Sequence, residues 1–185
     1  MSLITHKITA LASVVVALFV SSLNAQAASE SATVNITAEV ADNTCTPEWG
    51  SSEVNVLMGK ASQHDFTGKG KVVLSKPFTL KLKDCGDAAS QVTVTASGLV
   101  DAGDADAFAN TLNAESGGAG GVAILLYGGE DQSKKITPNG ATPVTYKVIS
   151  HKVDMNFTAK LEQSSAAAVT AGNVKSVVTM QINYE

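Results

Sequence analysis

The chain has 185 residues and carries 13 Lys and Arg against 17 Asp and Glu, which gives a net charge of −4. This mild acidity, with no basic run, argues against nucleic acid or an anionic membrane as the partner. Only 5% of the residues are aromatic, and short apolar stretches are separated by Gly, Asn, Asp and Ser clusters. An all-β sandwich or barrel fits this pattern best.

Residues 1–27 have the organisation of a secretory signal peptide. His6 and Lys7 form a short basic region, residues 8–20 are almost continuously apolar, and Ala25 and Ala27 frame an A-x-A cleavage site. The apolar run is shorter than the roughly 20 residues that a membrane-spanning helix needs. We therefore expect export and cleavage after Ala27. The mature chain would then be one domain, with a net charge one unit more negative than that of the full chain because Lys7 is removed.

Residues 32–40 show strict alternation of apolar and polar side chains at the start of the expected mature chain. This period of two predicts a half-buried strand, with Val34, Ile36, Ala38 and Val40 on its apolar face. Chain termini are poorly ordered unless another element holds them. The position of this leader, ahead of the first cysteine, therefore raises the question of which sheet it completes.

Cys45 and Cys85 are the only cysteines of the chain. An even number of cysteines in an exported protein favours a disulfide, which would close a loop of about 40 residues. A metal site is the alternative, but there is no CxxC pair, and His64 and His151 are the only histidines of the expected mature chain. The sequence therefore predicts one disulfide, no metal and no cofactor.

Several short strands are predicted between Cys45 and the C-terminus. The run 122–127 is continuously apolar, which indicates a strand covered on both faces. Residues 154–162 alternate, with Met155, Phe157, Ala159 and Leu161 inward. The other predicted strands are Val54 with Val56, ended by Gly59; 78–84, with Pro77 suited to a strand start; 92–96; 144–149; and 177–184, while Phe108 and Leu112 belong to a loose segment.

The last predicted strand, like the leader, has no evident partner strand on one side. Val178, Met180, Ile182 and Tyr184 share one face, and only Glu185 follows them. Such a strand would leave N–H and C=O groups bare beside an apolar groove. The alternative is an internal strand that is already flanked on both sides.

The residues give little support for catalysis. Gly117 to Gly121 precede a strand and form a flexible loop, not a phosphate cradle. Asp101, Asp104 and Asp106 lack EF-hand spacing and read as a solvated turn, with a loose calcium site as the alternative. Trp49 is expected in the core or covering an edge. The chain is therefore not expected to be an enzyme.

Taken together, several segments resemble the type 1 fimbrial pilins assembled by the chaperone–usher pathway. These are the alternating leader, the cysteine pair, and the residue stretches 77–85 (PFTLKLKDC), 157–161 (FTAKL), 171–173 (AGN) and 178–185 (VTMQINYE). The resemblance covers nearly the whole expected mature chain. Pilin leaders usually have glycine at a central inward position, where this chain has Ala38.

The resemblance implies an incomplete immunoglobulin-like β-sandwich that lacks its last strand. Residues 28–44 would be a donor-strand extension and 45–185 the pilin domain. The donor strand would use Val34, Ile36, Ala38 and Val40, and Val178, Met180, Ile182, Tyr184 and Glu185 would form the acceptor groove and the chaperone-binding end. A periplasmic chaperone would fill the groove first, and then the leader of the next subunit.

The implied partners are this chaperone, an outer-membrane usher, neighbouring pilin subunits and a tip adhesin, with the fimbrium at the bacterial surface. A single-domain adhesin that binds a host receptor through the polymer surface is the alternative function. Tyr127, Tyr146 and Trp49 are scattered and expected to be packed, so they offer no clear carbohydrate-binding face. The sequence does not distinguish a rod subunit from a minor adaptor.

Overall fold

The computed structural model describes residues 44–50 and 53–185, and the regular secondary structure of this part is almost entirely β-strand. Two short 3-10 turns, Gln63–Asp65 and Ala114–Ser116, accompany the strands. No helix in the described part is long and apolar enough to cross a membrane. The strands are β1 (Thr46–Pro47), β2 (Val72–Lys83), β3 (Gln91–Gly98), β4 (Phe108–Ala109), β5 (Val122–Gly128), β6 (Lys134–Ile136), β7 (Val144–Lys147), β8 (Val153–Gln163) and β9 (Val178–Tyr184).

The strands form two antiparallel sheets. The six-stranded sheet has the order β1-β2-β8-β5-β4, and β6 also pairs with β5. The three-stranded sheet has the order β7-β3-β9. The all-β sandwich that the sequence predicts is therefore confirmed, and the last strand of the chain lies at a sheet edge.

The longest pairing joins β2 to β8, and it runs through Pro77. Pro77 lies opposite Thr158 in the middle of β2, so its predicted place at a strand start is wrong. On its other side β2 pairs with β1 only at Leu82 and Lys83. Proline has no N–H to donate to a neighbouring strand. It is tolerated at position 77 because the β1 side of β2 has no strand partner there in the described residues.

The core lies between the two sheets and is built from the inward positions that alternation identifies. Met155 and Phe157 of β8 are fully buried, as are Val92 and Val94 of β3 on the opposite sheet. The Phe157 ring stacks on Phe78 with centroids 5.4 Å apart, and it meets Tyr146 edge-on at 5.6 Å. Such aromatic pairs add about 0.5–1.5 kcal/mol each to what burial alone provides.

Tyr146 connects the two sheets by hydrogen bonds from its hydroxyl. The hydroxyl accepts from the Gly129 N–H at 2.8 Å and donates to the Asn156 carbonyl at 2.8 Å. Burial raises the pKa of Tyr146 to about 12, although the hydrogen bond from Gly129 acts in the opposite direction. This ring is therefore a structural tie and not a surface aromatic available to a ligand.

The six-stranded sheet also has a covered outer face. Ala107 is fully buried there against Ala123 and Leu125 of β5, with Val72 and Tyr127 packed around them. The prediction that β5 is covered on both faces is thus confirmed, since all its residues except Tyr127 are buried. The segment that covers it, residues 101–107, is called the strap below.

Candidate functional site

The C-terminal strand β9 has one open edge. It pairs with β3 along its whole length, from Val178 opposite Gly98 to Tyr184 opposite Val92. No strand of the described residues pairs with its other side. Sequence alone allowed a strand flanked on both sides, and within the described part of the chain that alternative does not hold.

The side chains of β9 alternate in burial as well as in sequence. Val178, Met180, Ile182 and Tyr184 are half-buried and pack against the core, while Thr179, Gln181 and Asn183 are exposed. Half-burial is unusual for a strand face that points between two sheets. It arises because Val178, Met180 and Ile182 border an open groove.

The groove is large and mostly apolar. It has a volume of about 1390 Å³ and runs from β9 across the inner face of the six-stranded sheet. Its floor is formed by apolar side chains of β2, β5 and β8, namely Leu74, Phe78, Leu80, Ile124, Leu126, Ala159 and Leu161. Protein interiors are close-packed, so an apolar space of this size between two sheets is normally filled by further side chains.

The second lip of the groove is an extended segment, residues 53–61. Val56 and Met58 are half-buried, whereas Leu57 is 82% exposed, so the segment alternates as a strand would. It nevertheless has no regular secondary structure, and the strand predicted at Val54 and Val56 is wrong. The pattern is present, but no strand of the described residues supplies the hydrogen bonds that would define one.

One end of the groove is closed by two glycine-containing loops. Ala119 N–H donates to the Asn173 carbonyl at 2.9 Å, and Asn173 N–H donates to the Gly117 carbonyl at 2.8 Å. A Cβ on Gly172 would lie 2.4 Å from the Ala119 nitrogen, so only glycine allows this approach. The 117–121 loop, expected to be flexible, is therefore held by backbone hydrogen bonds.

The last residue, Glu185, is tied to the start of β3. Its main-chain oxygen accepts from the N–H groups of Ser90 at 2.6 Å and Gln91 at 3.0 Å, and its own N–H donates to the Gln91 carbonyl at 3.0 Å. Its side-chain carboxylate also accepts from the Gln91 amide. The C-terminal end of β9 is thus fixed in place beside the groove.

Cys45 and Cys85 form a disulfide, which confirms the pairing predicted from the sequence. It lies beside the short β1–β2 pairing, where Gly86 N–H also donates to the Thr44 carbonyl at 3.0 Å. Trp49 follows on the same segment and packs half-buried against the core. The disulfide therefore anchors the beginning of the domain to the end of β2.

Replacing Cys45 by Ser should lower the free energy of unfolding by about 4 kcal/mol, the chain-entropy value for a loop of this length. Denaturant titration of the variant and of the reduced wild-type chain should give the same loss. The double variant with Cys85→Ser is the control, since it should be no less stable than either single one. A loss below about 1 kcal/mol, a typical value for any substitution, would contradict this role.

The remaining sequence predictions concern the leader and a possible metal site. The leader residues Val34, Ile36, Ala38 and Val40 lie outside the described residues, as does the predicted cleavage after residue 27. In the described part, no group of three or more His, Cys, Asp and Glu is arranged to hold a metal ion. The loose calcium site considered for the 101–106 turn therefore has no support from the geometry.

A family model described as "Fimbrial protein" matches residues 33–185. The fimbrial-like protein YcbV of Escherichia coli K12 is 32% identical over 155 residues, which cover 83% of this chain and 85% of YcbV. The S-fimbrial protein subunit SfaG of E. coli O6:K15:H31 is 31% identical, and the match covers 82% of each chain.

Solved structures of fimbrial and pilus proteins share the fold of this chain. A type I fimbria protein and antigen of Burkholderia pseudomallei superposes with a TM-score of 0.57 at 28% identity, over 78% of this chain and 91% of the other. The P pilus rod subunit PapA superposes with a TM-score of 0.61 at 20% identity, over 76% and 99%. The resemblance seen in the sequence is confirmed, and the chain belongs to the fimbrial protein family as a subunit of the chaperone–usher type.

Proposed function

We propose that this subunit polymerises by donor-strand exchange, in which the leader of one copy fills the groove of another. The observation that supports this most directly is the open edge of β9 beside an apolar groove of about 1390 Å³. Strand addition to an exposed edge is an established mode of recognition, and chaperone–pilin complexes are among its known examples. The proposal follows from that precedent and from the shape of this site.

The groove needs a strand-shaped occupant for two physical reasons. The unpaired N–H and C=O groups along β9 form a template for any extended chain, which makes the empty subunit prone to aggregation. Leu74 and Phe78 of the groove floor, which are only half-buried, would also remain partly hydrated. An added strand satisfies the backbone groups and covers the apolar floor at the same time.

The leader has the pattern that this groove requires. Val34, Ile36, Ala38 and Val40 repeat at a spacing of two, and β9 presents its inward residues at the same spacing. Burial of each large leader side chain would contribute roughly 1.5–3 kcal/mol before the new backbone hydrogen bonds are counted. Several such contacts must break together for the subunits to separate, which suits a filament outside the cell.

The same groove would be covered before assembly by a strand of a periplasmic chaperone, with an outer-membrane usher joining the subunits. The interface would be head-to-tail, so it does not close on itself and yields an open fibre at the cell surface. The role of the subunit in that fibre is structural and not catalytic. Neighbouring pilins, and a tip adhesin at the fibre end, complete the expected set of partners.

Ile182→Lys should abolish assembly, because it places a charge in the groove at the centre of the proposed interface. Gln181→Lys is the matched control: it adds the same charge one residue away, on the exposed face of β9. The control should still give the ladder of polymers seen on gels without heating, and Ile182→Lys should give none. Equal ladders from the two variants would contradict the proposal.

A further inference from the structure

Glu162 is a buried acidic residue on the outer face of the six-stranded sheet. It lies on β8 with Val72 of β2 on one side and Ala123 of β5 on the other, and it is only 4% exposed. Its Oε1 atom has no hydrogen-bond partner. A buried carboxylate with an unsatisfied oxygen is costly, so the position calls for an explanation.

The strap brings a second carboxyl group to the same place. The Asp104 and Glu162 side chains lie within hydrogen-bonding reach of each other. Two ionised carboxylates are acceptors only, so a hydrogen bond between them requires a proton on one of them. Asp104 already accepts the Asp106 N–H at 2.9 Å, which favours its charged form and leaves the proton to Glu162.

The strap is seated closely enough for this contact to matter. A Cβ on Gly103 would lie 2.4 Å from the Ser164 carbonyl oxygen, so the backbone of the strap touches the end of β8. Asp101 stiffens the strap by accepting the N–H groups of Gly103 at 2.8 Å and Asp104 at 3.1 Å. The carboxyl pair and the small apolar contact at Ala107 hold the strap down.

Other charges surround the pair on several elements. The charged groups around the pair are Asp101 and Asp106 on the strap, Lys69 before β2, Lys135 on β6 and, two residues before Glu162 on β8, Lys160. Lys135 bonds Asp106 at 3.3 Å, and Lys160 lies over the Tyr127 ring at 4.1 Å. Neither lysine therefore forms an ion pair with Glu162 itself.

We propose that Glu162 and Asp104 share a single proton, and that this proton fastens the strap to the outer face of the sheet. Loss of the proton places two carboxylates against each other in a buried site, and the strap opens. The fimbrial subunit would thus carry a pH-sensitive fastening that is separate from its assembly groove.

The direction of the effect follows from the electrostatics of the pair. Burial raises the pKa of Glu162 to about 7 from its ordinary value of 4.5, and the hydrogen bond and negative charge of Asp104 act in the same direction. The contribution of Glu162 to closure is therefore fully present below pH 4.5, where the group is protonated whether the strap is open or closed. It weakens as the pH rises towards about 7 and does not weaken further above that value.

Hydrogen–deuterium exchange of the strap amides in the intact chain tests the proposal, with rates corrected for the intrinsic pH dependence of exchange. Protection over residues 101–107 should fall by at least about tenfold between about pH 5 and about pH 8, since one pKa unit corresponds to tenfold. Glu162→Gln keeps a neutral donor at every pH and should remove this dependence. Asp106→Asn is the matched control on the strap and should retain it.

A carbon-13 titration of the Glu162 carboxyl provides a measurement that needs no variant. Its midpoint should lie well above 4.5, near 7. An ordinary midpoint, or a wild-type protection profile that does not change with pH, would overturn the proposal. Recovery of protection by millimolar Ca²⁺ at about pH 8 would overturn it too, because the cluster would then bind a cation and not a shared proton.

Discussion

A chain that lacks residues 28–41 is expected to bind its chaperone in a one-to-one complex and to be absent from filaments. The deletion removes the proposed donor strand and leaves the groove, the disulfide and β9 in place. Loss of Val34, Ile36 and Val40 removes roughly 1.5–3 kcal/mol of burial for each side chain, together with the backbone pairing. Co-purification with the chaperone and electron microscopy of surface fibres measure the two outcomes separately.

Single substitutions in the leader test whether assembly needs its alternating apolar side chains or only an N-terminal extension of any sequence. Ile36→Lys places a charge on the apolar face and should prevent assembly as the deletion does. Thr37→Lys puts the same charge on the opposite face of the same strand and should be tolerated. Fibres of normal length from the deleted chain would disprove the donor-strand assignment, and equal defects in the two lysine variants would disprove the assigned face.

Strict alternation located the strands well wherever a paired neighbour exists in the same chain. Met155 and Phe157 were expected inward on β8, and both are fully buried. The unbroken apolar run at 122–127 became β5, which is covered on both faces. In these strands the local pattern and the tertiary packing require the same arrangement, which is why the sequence predicts them.

The strand expected at Val54 and Val56 shows the limit of such a pattern. Alternation describes which way side chains point, but a strand also needs a backbone partner. The described part of the chain offers none to residues 53–61, which form one lip of the groove. A donor strand added as proposed would lie between this lip and the open edge of β9, and it would supply a backbone partner to both.

Glu162 illustrates a second limit. Alternation places it correctly on the outward face of β8, from which exposure to water would follow. The strap covers that face, and its return across the sheet depends on turns around Gly103 and on the small side chain of Ala107. No period in the sequence encodes such a long-range cover. The short β6 strand, Lys134–Ile136, escaped prediction because three residues are too few to show a period.

The C-terminal end of β9 has two roles, in the stability of the domain and in the proposed chaperone binding, and one truncation affects both. Ile182 lines the groove, and Ile182 and Tyr184 lie opposite Val94 and Val92, which are fully buried in the core. Glu185 adds main-chain hydrogen bonds to Ser90 and Gln91. The last five residues therefore hold β3 in place and form part of the proposed chaperone-binding surface.

A chain that ends at Met180 is expected to be lost from the periplasm, because it can neither complete the edge of β3 nor hold the chaperone strand. Full burial of a large side chain is worth roughly 1.5–3 kcal/mol, and even the partial burial of Ile182 and Tyr184 is a substantial loss against the roughly 5–15 kcal/mol that stabilises a typical domain. Asn183→Ala serves as the control, since it changes an exposed side chain and leaves the backbone pairing intact. Immunoblots of periplasmic extracts, made with the chaperone co-expressed, should show the control at wild-type level and the truncated chain reduced at least tenfold, about 1.4 kcal/mol of lost stability or more. Recovery of the truncated chain in a stable one-to-one complex would show that capture does not depend on this end of β9.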